Sequence, residues 1–117
     1  AIGLSHAALA EAAARVDLIV NCTSLGMAHG PGESQTPMTA EILPSGILVY
    51  DLVYNPPETP LLKEAKRAGA STLQGLPMLV YQGAASFGLW TGKQPLIELM
   101  KNAAREGLLG HENRNKA

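Results

Sequence analysis

Three short apolar runs alternate with stretches of helical periodicity along this chain, in the order α-β-(α)-β-α-β-α-α. Ala7 to Arg15 is alanine-rich, with Ser5 placed to cap it and Glu11 inside it, and predicts the first helix. Asp17-Leu18-Ile19-Val20-Asn21-Cys22 predicts a short strand, whose continuous apolar centre suits cover on both faces. A loop rich in Gly, Pro and Ser runs from Ser24 to about Pro37, and Thr39 opens a short helical turn before Pro44-Ser45-Gly46. The second strand is predicted over Ile47 to Tyr54 and must stop at Asn55-Pro56-Pro57, because proline cannot donate to a ladder. Thr59 caps the next helix, with Pro60 at its first position, Lys63, Lys66 and Arg67 toward its C-terminal half, and Gly69 closing it. Ser71-Thr72-Leu73-Gln74 predicts the third strand. Gly75-Leu76-Pro77 opens the longest helix, Met78 to about Trp90. Pro95 begins a last helix to about Glu106, and the polar tail from Gly110 is expected to fray.

Strands that alternate with helices argue for an α/β fold with a short parallel sheet in a three-layer αβα arrangement. That sheet is half the size of a full dinucleotide-binding domain. Composition adds little. At 117 residues, 46 % hydrophobic and 16 % charged with a net charge of −1, the chain suits one compact domain and is too apolar for disorder. No basic excess invites nucleic acid. No apolar run is long enough for a membrane span, and no signal peptide is visible, so a cytoplasmic location is expected. Cys22 has no partner for an internal disulfide, and His6, His29 and His111 share no ligand spacing, so no metal is expected.

The chemistry is signalled first by an absence. No G-x-G-x-x-G loop follows a strand, so the usual means of holding a dinucleotide's phosphates at a helix N-terminus is lacking. Gly30-Pro31-Gly32 has neither a strand closely before it nor a clear helix after it. In open parallel sheets, ligands lie beyond the carboxyl ends of the strands. Those ends are Asn21 to Met27, Asp51 to Pro56, and Gln74 to Met78, which read either as turns and caps or as a ligand crevice. Leu76, Leu79, Val80, Gly83, Ala84, Phe87 and Trp90 form the expected core stripe of the long helix. Met78 and Gln82 share a neighbouring face, with Ser86 further along it. Gln82 is either an exposed polar residue or a donor and acceptor toward a polyol or carboxylate. Asn21-Cys22-Thr23 matches a glycosylation sequon but closes a strand expected to be buried, and Cys22 reads as a small strand residue, not a nucleophile.

Several runs, in this order, resemble the shikimate dehydrogenase family. They are Asp17 to Met27, then Tyr50-Asp51-Leu52-Val53-Tyr54-Asn55-Pro56 with Thr59-Pro60-Leu61-Leu62. Gly75-Leu76-Pro77-Met78-Leu79-Val80-Tyr81-Gln82-Gly83-Ala84 follows, with Phe87, Trp90, Thr91, Gly92 and Pro95. The resemblance implies the C-terminal portion of a Rossmann-like, NADP-binding enzyme that reduces 3-dehydroshikimate to shikimate in aromatic amino-acid biosynthesis. It implies that Tyr54 and Gln82 bind substrate. Leu52, Gly75 and Met78 would lie by the nicotinamide, and Thr23 and Ser24 by its ribose. Residues 1–93 would then be part of the cofactor-binding domain, and residues 94–117 a helix and tail that pack on a catalytic domain. The family's acid–base lysine and aspartate, its glycine loop and its 2′-phosphate motif have no match here, so no catalytic residue is assigned and the chain alone is expected to be inactive. Two alternatives stay open: a quinate/shikimate dehydrogenase using NAD, and a non-catalytic module that binds a ligand or a partner chain. In a doubly wound sheet the strand from Asp17 would lack its neighbour, which leaves an edge open to self-association.

Overall fold

The alanine run, the apolar runs and the capped amphipathic segment all become the elements that their patterns predict. The computed structural model describes residues 1–115, with side chains through residue 110. Its elements are α1 (His6–Ala13), β1 (Leu18–Asn21), β2 (Leu48–Asp51), α2 (Pro60–Arg67), β3 (Ser71–Leu73), α3 (Leu76–Thr91) and α4 (Ile97–Asn115). The chain divides into two compact units, one from Ala1 to Gly75 and one from Leu76 onward.

In the first unit the three strands form a parallel sheet in the order β1-β2-β3. Leu18 faces Leu48 and Asn21 faces Asp51 across the first pair, and Leu48 faces Ser71 and Tyr50 faces Leu73 across the second. Successive side chains alternate between the two sides of a strand. One side of the sheet carries the core: Val49 packs with Ala13 of α1, with Leu61, Leu62 and Ala65 of α2, and with Met38, Leu43 and Ile47 of the connecting loop. Leu18, Val20, Leu48 and Leu73 alternate to the other side, where they are 50 %, 41 %, 36 % and 41 % exposed. The expectation that β1 is covered on both faces is therefore corrected. A continuous apolar run records that a strand can be covered twice, and within this unit the helices lie on one side only.

The caps follow their chemistry. The Ser5 side chain accepts from the Ala8 N–H at 3.3 Å, and Thr59 accepts from the Leu62 N–H at 3.3 Å with Pro60 beside it. At the end of α2, Gly69 takes a φ of 78°, and the Ala70 N–H reaches the Ala65 carbonyl at 3.0 Å, closing the helix in a Schellman turn. Thr39 opens the expected turn, its carbonyl accepting from the Ile42 N–H at 3.1 Å. Glu64 ties that loop to α2 by accepting from the Ala40 N–H at 2.7 Å. This donor, assisted by the Arg67 guanidinium, holds the Glu64 carboxyl below the ordinary value.

Strand ends depart from expectation. β2 stops at Asp51, three residues before Tyr54, because the Asp51 side chain accepts the Val53 N–H at 3.0 Å and removes it from the ladder. β1 ends at Asn21, so Cys22 is an exposed free cysteine just beyond the strand and not a strand residue.

The second unit is a helical pair. α3 ends where Gly92, with a φ of 66°, donates to the Gly88 carbonyl at 2.9 Å. Gly83 faces α4, and a Cβ there would lie in ordinary contact, 3.6 Å from Met100 Cε. Lys101 of α4 bonds Glu98 at 2.9 Å and stands 5.3 Å above the Tyr81 ring. Val80 and Ala84 are buried as the stripe predicts, but Phe87 and Trp90 are 40 % and 83 % exposed and leave the core. Periodicity marks a face that can be covered, and nothing among the described residues covers its C-terminal end. α4 continues to Asn115, past the expected stop near Glu106, so the polar tail is helical through that residue. The His111 side chain, and residues 116 and 117 altogether, lie outside the described residues.

Candidate functional site

Parallel strands in register deliver their C-terminal tips to one edge of a sheet. Here Thr23 and Ser24 follow β1, Leu52 and Tyr54 follow β2, and Gly75 follows β3. The tips are fastened to one another. The Leu52 N–H donates to the Asn21 carbonyl at 3.1 Å, and the Ala28 N–H donates to the carbonyl of Asn55, which precedes a cis peptide bond to Pro56, at 2.8 Å. Gly75 is buried against the β2 tip so closely that a Cβ would stand 2.5 Å from the Leu52 carbonyl oxygen and 2.8 Å from that of Asp51. Thr23, Ser24, Leu52, Tyr54 and Gly75, read as site residues from the sequence, are thus brought to a single edge.

Beneath that edge lies a buried polar network that sequence reasoning missed. Asp51 and Thr59 are 0 % exposed and Asn21 is 4 % exposed. One Asp51 oxygen accepts from Asn21 Nδ2 and from the Val53 N–H, each at 3.0 Å, and the other accepts from Thr59 Oγ1 at 2.6 Å. Asn21 Oδ1 in turn accepts from the Thr23 N–H at 3.0 Å and from Thr23 Oγ1 at 2.7 Å. Among the described residues every buried side-chain polar atom has a partner. The available signal was an acidic residue inside an otherwise apolar run, which only burial with partners allows.

Above the network the edge presents mixed chemistry. Leu52 and Tyr54 are half-buried, and Thr23 and Ser24 are exposed. The Thr23 hydroxyl proton is already committed to Asn21, and its oxygen accepts from the Leu25 N–H at 3.2 Å, so Ser24 is the freer donor. No lysine or arginine occurs in residues 21–27, 51–56 or 74–78. Without a cation, these stretches offer hydroxyl, amide and apolar groups and no charged partner for a phosphate. A cavity beside Pro56 is lined by Glu33, Glu58 and Glu64 with Lys63, and Glu58 is paired with Lys66 and Glu64 with Arg67. Among the described residues no cluster of metal-ligating side chains occurs. Among the described residues no helix is long and apolar enough to cross a membrane.

Met78 and Gln82 belong to the second unit, in the opening turns of α3. Met78 is half-buried and Gln82 exposed. Gln82 Nε2 donates to the carbonyl of Leu79, one turn earlier, at 2.9 Å, which leaves its carboxamide oxygen and second N–H available to a ligand. Ser86 Oγ donates to the Gln82 carbonyl at 3.0 Å.

An open parallel sheet with its polar strand tips on one edge defines the class: a Rossmann-like α/β fold. Residues 75–105 match the family model of the shikimate 5'-dehydrogenase C-terminal domain. A shikimate dehydrogenase (NADP(+)) of Methanosarcina mazei is 50 % identical over 106 residues, covering 91 % of this chain and 37 % of its own length. That of Methanosarcina acetivorans is 52 % identical over 106 residues, with the same coverage. The crystal structure of the Thermus thermophilus shikimate 5-dehydrogenase in complex with NADP(H) and shikimate superposes with a TM-score of 0.73 at 42 % identity. It covers 84 % of this chain and 36 % of that one. In sequence and in fold, this chain matches the C-terminal portion of the shikimate dehydrogenases. It spans a little over a third of the length of these curated relatives.

Proposed function

We propose that this chain builds the nicotinamide and substrate side of an NADP-dependent shikimate dehydrogenase, a cytoplasmic enzyme of aromatic amino-acid biosynthesis that reduces 3-dehydroshikimate to shikimate. The observation that carries the reading is the common edge of Thr23, Ser24, Leu52, Tyr54 and Gly75. The matched stretch, residues 75–105, supports it by spanning Gly75, Met78 and Gln82. When bound, the cofactor supplies the hydride. The chain's own part is placement: Thr23 and Ser24 hold the ribose, and Leu52, Gly75 and Met78 fix the nicotinamide face. Tyr54 and Gln82 hydrogen-bond the substrate. Such transfer tolerates little error, since a misplacement of about 1 Å can cost roughly 10²-fold in rate. Residues 1–93 serve the cofactor in this reading, and residues 94–117 pack on a catalytic domain that supplies the acid–base groups, so the 117 residues alone are inactive. The test is to assay the protein at its full natural length with shikimate and NADP⁺, alongside quinate and NAD⁺. Shikimate-dependent NADP⁺ reduction is expected. Its absence, or turnover of quinate with NAD⁺ alone, overturns the reading.

We further propose that the 117 residues, expressed by themselves, associate through β1. It is an edge strand of the sheet, with Leu18 and Val20 exposed beside it. Light scattering at micromolar concentration is expected to give a mass above that of the monomer, and a monomeric mass would count against association.

A further inference from the structure

We propose that Asp51 is the positioning residue of the strand-tip site, an inference that rests on the function proposed above. Asp51 touches no reactant: it lies wholly buried under the edge, and its carboxylate collects three neutral donors from separate pieces of chain. The donor from Asn21 leads to the β1 tip, because the same Asn21 side chain accepts both the N–H and the hydroxyl of Thr23. The donor from Val53 bends the β2 tip out of the ladder immediately before Tyr54. The donor from Thr59 joins the N-cap of α2, whose oxygen also accepts the Leu62 N–H. The carbonyls of Asp51 and Leu52 are the surface on which Gly75 rests.

A buried charge is a poor device for stability alone, because apolar residues of similar volume often serve as well or better. What the carboxylate adds is direction. It has one orientation that satisfies all three donors, and that orientation sets the ribose-side tip relative to the substrate-side tip. Cofactor and substrate placement therefore depend on one side chain that meets neither.

The experiment compares Asp51→Asn, Thr59→Val and Thr59→Ser in the protein at its full natural length, at a temperature where circular dichroism reports each variant folded. Thr59→Val keeps the shape but removes both the hydroxyl given to Asp51 and the α2 cap, whereas Thr59→Ser keeps both. Asp51→Asn and Thr59→Val are expected to lower kcat/KM for shikimate about 10-fold or more, with KM raised for both shikimate and NADP⁺. Thr59→Ser should restore kinetics close to wild type. Lower melting temperatures with unchanged kcat/KM per folded molecule would reduce Asp51 to a structural residue and overturn the proposal. If Asp51→Asn does not fold, the Thr59 pair decides alone, and wild-type kinetics in Thr59→Val overturns it. An unmutated protein inactive toward shikimate would instead sink the functional reading. An active one with indifferent variants sinks this inference only.

Discussion

Gly75→Ala is expected to destabilise the protein by about 1–3 kcal/mol, the usual cost of forcing extra volume into a packed site. The added Cβ would stand 2.5 Å from the Leu52 oxygen, 2.7 Å from the Leu52 carbonyl carbon and 2.8 Å from the Asp51 oxygen. These are backbone atoms, and Leu52 is held by its own N–H bond to Asn21, so they cannot swing aside as a side chain would. Losing a glycine also restricts the unfolded chain, which stabilises by about 0.4–1 kcal/mol and is too small to offset the clash. Gly83→Ala is the control, because its Cβ would meet only Met100 Cε at an ordinary 3.6 Å within a helix. Denaturant midpoints should therefore fall for Gly75→Ala and hold or rise for Gly83→Ala. With the site as proposed, Gly75→Ala should also weaken NADP⁺ binding. A wild-type midpoint for Gly75→Ala would show that the β2 and β3 tips are not in close contact.

Gln82→Ala should separate function from folding. The side chain is exposed and bonds only its own helix at Leu79, and alanine is a better helix former, so stability should be unchanged or slightly raised. With the substrate held as proposed, in the protein at its full natural length, a buried substrate oxygen that loses its partner costs about 1–3 kcal/mol. That corresponds to a fall of about 10- to 100-fold in kcat/KM, because each 1.36 kcal/mol is about tenfold in rate. Steady-state kinetics with shikimate and NADP⁺ provide the measurement. Unchanged kinetics in a folded Gln82→Ala would remove Gln82 from the site.

The elements were legible where a local rule decides them. Ser5 and Thr59 cap because their side chains reach N–H groups three residues ahead, and Gly69 ends α2 because it takes the left-handed conformation. The parallel sheet followed from the alternation of strands and helices. What failed depended on distant partners. Nothing near Phe87 or Trp90 in the chain says that the helical stripe outruns its cover. The length of β2 could not be read because its end is set by the side chain of Asp51 competing for the Val53 N–H. The same holds for the site. The strand-tip rule marks only the stretches that hold Thr23, Ser24, Leu52, Tyr54 and Gly75, and the family resemblance is what singles out those residues within them. The Asn21–Asp51–Thr59 network joins positions 30 and 8 residues apart and becomes visible only once β1, β2 and α2 are assembled.

The side of the sheet that carries Leu18, Val20, Leu48 and Leu73 ties the chain's solution behaviour to its solvent. Aliphatic side chains avoid water more weakly in the cold and more strongly in kosmotropic salts such as sulfate. Chilled, low-sulfate buffers are therefore expected to weaken association through this side, and warming or sulfate to strengthen it.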